Sequence, residues 1–156
     1  MNRPLVTAIG SVLGTAVIGN SCIRKEDLAW MGALNRPRMQ ISLPTFATVG
    51  VIYYVLIGIV IYRACDRRDR MATRLALVVL VLNEVWNLAF FRFRSVRNGF
   101  VGILMFLLPL GALQRAVSKD VPSAVVLAPY TAWVIAYDIP WAFGLWRLNT
   151  LPEKHS

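Results

Sequence analysis

Residues 41–62 read ISLPTFATVGVIYYVLIGIVIY, 22 positions without a charge, and run straight into RACDRRDRMATR at 63–74. A helix needs roughly 20 apolar residues to cross the hydrocarbon core of a bilayer, and a dense basic segment behind such a run settles among the headgroups. Four further stretches are predominantly apolar over a similar length: about Leu5 to Ile23, Ala72 to Phe91, Gly99 to Ala116 and Pro122 to Trp146. The other breaks are also charged, at Arg24-Lys25-Glu26-Asp27, at Arg92, Arg94 and Arg97, and at Arg115, Lys119 and Asp120. Lipid offers no partner to open backbone groups, so runs of this kind must be helices. The expectation is an all-α integral membrane bundle of five transmembrane helices, with residues 1–156 as a single domain.

Composition points the same way. Of 156 residues, 57% are apolar and 16% charged, where soluble domains average about 45–50% and about 25%. The net charge of +9 does not imply nucleic acid, because the basic residues fall between apolar runs rather than on one continuous basic face. The partner they imply is the lipid membrane. Eight basic residues fall to one side of the expected bundle and nine to the other, so the positive-inside rule leaves the orientation open. The first stretch reads as a retained helix rather than a secretory signal, since Gly19-Asn20-Ser21-Cys22 lacks an Ala-x-Ala-like cleavage site.

Cys22 and Cys65 follow successive spans and are expected at opposite faces, too far apart to bridge. The lone histidine, His155, lies in the tail. Neither a His/Cys metal site nor a His-based nucleophile system is expected.

The chemistry lies inside the spans. At 100° per residue, Asn83, Trp86, Asn87 and Phe90 share one face of the third stretch, and Tyr130, Trp133, Tyr137 and Trp141 share one face of the fifth, with Gly144 beside them. Either stripe alone reads as helix-to-helix packing, while two in a small bundle outline a cleft for a flat, greasy ligand. Pro129 and Pro140 are expected to bend the fifth helix. Glu84 and Asp138 are acids within spans; such groups usually face the interior and mark a proton or charge site. Gly10-x-x-x-Gly14 permits close helix approach, within the bundle or between copies, and Val60-Ile61-Tyr62 before Arg63 or Arg67 fits a loose cholesterol-contact pattern.

Three blocks carry a resemblance. Residues 30–37, WMGALNRP, resemble the W-x-x-x-L-x-K-P segment of the TspO/MBR family of tryptophan-rich sensory and translocator proteins. Residues 82–91, LNEVWNLAFF, resemble its L-N-x-x-W-x-x-x-F-F, and PYTAW at 129–133 with WRLN at 146–149 resembles its P-Y-x-x-W…W-R-L-N. The resemblance implies a five-helix bundle whose ligand cavity is lidded by the loop after the first span. It further implies binding of porphyrin or haem tetrapyrroles as ligand rather than required cofactor, and in some members sterols and benzodiazepine-type drugs. Homodimers are also implied. By position, Asn83, Trp86, Phe90, Trp133 and Tyr54 carry over to the ligand site, and Trp30 and Pro37 to the lid, with Arg36 or Arg38 placed to meet propionates. Tyr130 and Tyr137 join the ligand site through the fifth-span stripe.

The departures are specific. Ile41-Ser42 stands where the family has Pro-Pro, and Gly50 where it has a cavity-lining tryptophan; the C-terminal block is one residue longer, and Trp141 stands near the family's asparagine. The missing indole is expected to weaken both ligand affinity and the light-driven tetrapyrrole breakdown of some bacterial members, with Tyr53, Tyr54 and Phe46 filling part of the gap. The function expected is a membrane receptor or carrier for flat hydrophobic ligands, without turnover of its own, in a bacterial or organelle membrane such as the mitochondrial one. A proton-coupled transporter using Glu84 or Asp138 and a porphyrin-degrading enzyme are the alternatives.

Overall fold

The computed structural model describes residues 2–150, so the tail with His155 lies outside the described residues. The helices are α1 (Arg3–Ser21), α2 (Lys25–Ala33), α3 (Leu43–Asp66), α4 (Arg70–Asn87), α5 (Val96–Ala116), α6 (Val121–Trp133) and α7 (Ile139–Thr150). A π-helical turn at Leu88–Arg92 extends α4, a 3-10 turn at Val117–Lys119 extends α5, and a second π turn at Val134–Asp138 joins α6 to α7. The described residues contain no strand. Four helices are long and apolar enough to cross a membrane: α1, α3, α4 with its π turn, and α5 with its 3-10 turn. The fifth apolar stretch is helical too, but its π turn divides it into shorter pieces.

Local chemistry fixes the helix starts. The side chains of Asn2, Ser42, Asp69 and Ser95 accept from backbone N–H groups of the first turns of α1, α3, α4 and α5, and prolines occupy the first turns of α1, α3 and α6. Both devices suit donors that have no intrahelical partner. Short connections make α3, α4, α5 and the α6–α7 rod antiparallel neighbours. α1 packs on α3 and α4, and α5 on α4, α6 and α7.

Two apolar clusters form the core. One joins Ile57, Val60 and Ile61 of α3 to Ala76, Val79, Leu80, Leu110 and Leu127; the other gathers Trp86, Phe90, Phe91, Ile103, Trp141 and Leu145. The outer surface is apolar as well, with Val17 69% and Leu108 73% exposed, which suits lipid contact and not water. Val60 and Ile61 are fully buried and Arg63 is paired, so the cholesterol-contact pattern is not displayed on the surface. A Cβ at Gly10 or Gly14 would meet nothing within 4 Å. The Gly-x-x-x-Gly pattern therefore does not seat a helix of this chain. Both cysteines are free.

The charged breaks read from the sequence as headgroup-level topology signals, and the structure shows that two of them also carry buried ion pairs. Residues 25–33 form α2, and Asp27 within it is fully buried, accepting from Arg24 N and Arg94 Nε at 3.0 Å each. The Arg24 amide, followed by the Arg94 guanidinium, holds the Asp27 carboxyl below its ordinary value. Arg94 has φ 47°, in the left-handed region, and the buried ion pair is one contact that holds it there. At the other end of the bundle Asp120 accepts from Arg63 Nε at 3.0 Å and Nη2 at 2.8 Å, from Arg67 Nη1 at 3.1 Å, and from Ser123 Oγ. Those contacts, Arg63 foremost and Ser123 next, pull the Asp120 carboxyl down to about 2.

An aspartate with a depressed folded value stabilises the fold above its unfolded value of about 3.9 and loses that contribution as pH falls. Asp120→Asn should therefore lower the thermal midpoint of the detergent-solubilised protein at pH 6, with the gap to wild type closing between about pH 4 and the folded value of about 2. Equal midpoints at pH 6 would contradict this role.

Candidate functional site

Members of both core clusters border a partly open cavity of about 480 Å³, within the range of about 300–1,000 Å³ common for small-molecule sites. α3 contributes Phe46, Gly50, Tyr53 and Tyr54; α4 and its π turn contribute Asn83, Trp86, Asn87 and Phe91; the α6–α7 rod contributes Tyr130, Trp133 and Asp138. Trp86 is held by donating Nε1–H to Gly99 O at 2.8 Å and by stacking on Phe90 with centroids 5.4 Å apart. Close approach of α5 makes this possible, since a Cβ at Gly102 would lie 2.9 Å from the Trp86 ring.

A polar knot closes one wall. The Glu84 carboxylate accepts from the Tyr54 hydroxyl, from Asn83 Nδ2 at 3.2 Å and from Asn87 Nδ2 at 3.1 Å. Tyr130 donates in turn to Asn83 Oδ1 at 3.4 Å. Gly19 of α1 lies directly against the Glu84 carboxylate, where any added Cβ would overlap it. A second hollow of about 480 Å³, lined almost wholly by apolar groups of α1 and α3, shares Val51 and Tyr54 with the first.

The profile of the TspO/MBR family matches residues 5–142. The chain belongs to the TspO/MBR family. It is similar to a tryptophan-rich protein TspO from Archaeoglobus fulgidus, 23% identical over 148 residues, covering 93% of this chain and 96% of that protein.

Of the residues carried over from the TspO/MBR resemblance, Asn83, Trp86, Trp133 and Tyr54 line the cavity together with Phe46 and Tyr130. Phe90 does not; it is 1% exposed behind Trp86, and Phe91 takes the wall position. The reason is the π turn at Leu88–Arg92, which widens the helix so that 100° per residue no longer holds. The second π turn acts likewise on Asp138, which the helical wheel placed off the aromatic stripe. Five residues along an α-helix lie about 140° apart, yet across the π turn Trp133 donates Nε1–H to Asp138 Oδ1 at 3.0 Å and both line the cavity.

Tyr137 and Trp141 hold the segment between α2 and α3 instead. The Tyr137 hydroxyl donates to Met39 O and accepts from Ile41 N, each at 3.1 Å, and Trp141 donates to Gln40 Oε1 at 2.7 Å. Asn149 of the WRLN block accepts from Asn35 N at 2.9 Å and donates to Asn35 O at 3.0 Å. Trp30 sets its edge on Phe90 with centroids 5.4 Å apart, and Pro37 lies against Gly144. Arg36 donates to Gly32 O at 3.1 Å. None of Trp30, Arg36, Pro37 and Arg38 lines the cavity. Asn20 and Phe91 do, and sequence periodicity gave neither; Asn87 was visible only as part of the stripe.

If Glu84 anchors three donors, Glu84→Leu should destabilise the fold by about 1–3 kcal/mol through unpaired polar groups, and Glu84→Gln, which keeps an acceptor, should cost less. Thermal unfolding in detergent would read this; a Glu84→Leu midpoint equal to wild type would contradict it.

Proposed function

We propose that this TspO/MBR-family protein is a membrane receptor or carrier that takes a flat hydrophobic ligand, of tetrapyrrole, sterol or benzodiazepine-like shape, into its internal cavity. The observation carrying this reading is the cavity itself: rings from three separate helical segments and oriented amides converge on one hollow of small-molecule size. Trp86, Trp133, Phe46 and Phe91 would give faces for stacking, and Asn83 and Asn87 would give hydrogen-bond direction. In the same reading the α6–α7 rod is a fifth membrane crossing, since it runs antiparallel to α5 over 30 residues from Val121 to Thr150 and a bent helix of that length is sufficient.

Gly50 tunes the site. A Cβ there would meet nothing within 4 Å, so the position left empty by the family's tryptophan enlarges the hollow.

Titration of the detergent-solubilised protein with a porphyrin dimethyl ester, followed by tryptophan fluorescence, would test the reading. Saturable quenching is expected. Trp133→Ala should weaken it about two- to tenfold, the worth of one aromatic contact. Gly50→Trp should fold normally and lose most of the quenching by filling the space. No saturable quenching by the wild-type protein would count against the proposal.

A further inference from the structure

The wall of the cavity is acidic, and nothing basic faces it. Asp138 lines it with one carboxylate oxygen committed to Trp133 Nε1–H. Among the described residues its other oxygen accepts no hydrogen bond, and no fully buried side-chain oxygen or nitrogen lacks a partner. The uncommitted oxygen is thus one that reaches open space. Glu84 differs, since both of its oxygens are occupied by donors of this chain.

No Lys, Arg or His is among the lining residues. Arg36, expected from the family resemblance to meet propionates, is turned back onto Gly32 O. Arg94 is spent on Asp27, and Arg63 and Arg67 on Asp120. A carboxylate within an apolar bundle is costly unless a cation or several donors complete it. The same cavity is lined by the rings of Trp133, Trp86 and Phe91, and aromatic faces attract a cation in their own right. A ligand carboxylate placed here would meet like charge with no compensating base.

Resting on the proposed function above, we infer that the cavity selects flat hydrophobic ligands bearing a protonated amine, anchored on Asp138, over ligands bearing carboxylates. Charge at the ligand's edge, as much as flatness, then sets which molecules this chain accepts.

One macrocycle in three charge states tests this: a porphyrin with free propionates, its dimethyl ester, and its bis-amide with ethylenediamine, which ends in two ammonium groups. Each is titrated against the detergent-solubilised protein by tryptophan quenching. The expected order of affinity is ammonium, then ester, then propionate, with the first at least tenfold above the last. In Asp138→Asn, which keeps an acceptor for Trp133, the tenfold advantage of the ammonium form over the propionate form should be largely lost, and propionate binding should improve. If the ester binds but the propionate form binds as tightly as the ammonium form, or if the order survives Asp138→Asn, the inference is overturned while the proposed function stands. If none of the three binds, both fall. Should Asp138→Asn fail to fold, the wild-type order alone decides, a propionate affinity equal to or above the ammonium affinity overturning the inference.

Discussion

A carboxylate inside a helical bundle has no water to turn to, and in this protein the Glu84 carboxylate finds its partners on two helices. Tyr54 reaches it from α3, while Asn83 and Asn87 reach it from its own helix. Such a group fixes the relation between its helices more strictly than apolar packing does, because a slip by one position strands several polar atoms at once. α1 can close over it only because residue 19 is glycine. The cavity lies beside this knot, and Tyr54 belongs to both. The residue whose hydroxyl satisfies Glu84 also lines both the interior hollow and the apolar groove between α1 and α3.

The two π turns are the second determinant of the site. Each inserts a wide turn where a regular helix would have carried the aromatic stripe on, and each divides that stripe between two tasks. Before the second turn Tyr130 and Trp133 face the hollow, and after it Tyr137 and Trp141 grip the segment that connects α2 to α3. That segment is thereby stitched to the same rod that forms one wall of the cavity.

The fold was legible because lipid makes simple demands. Apolar runs near 20 residues bounded by charged clusters marked α1, α3, α4 and α5, and three spaced motifs pointed to the family. Much of the wall was legible too, since Asn83, Trp86, Trp133, Tyr54, Phe46 and Tyr130 all line it. What escaped did so for definite reasons. A helical wheel assumes 3.6 residues per turn and cannot foresee a π turn, which exchanged Phe90 for Phe91 and brought Asp138 into the site. Charged breaks look alike in a sequence whether solvated or buried, so the pairing of Asp27 with Arg94 and of Asp120 with Arg63 was hidden in runs read as topology signals. Arg36 and Arg38 looked like a propionate site by neighbourhood alone, and geometry took Arg36 elsewhere.

Everything functional in this account requires that a flat ligand enter the interior hollow rather than the groove outside it. Crystals grown with a brominated porphyrin dimethyl ester would locate the ligand through anomalous scattering of its bromines. The account expects the bromine peaks between Trp86 and Trp133, within the hollow. Peaks confined to the α1–α3 groove or to the lipid-facing surface would contradict it.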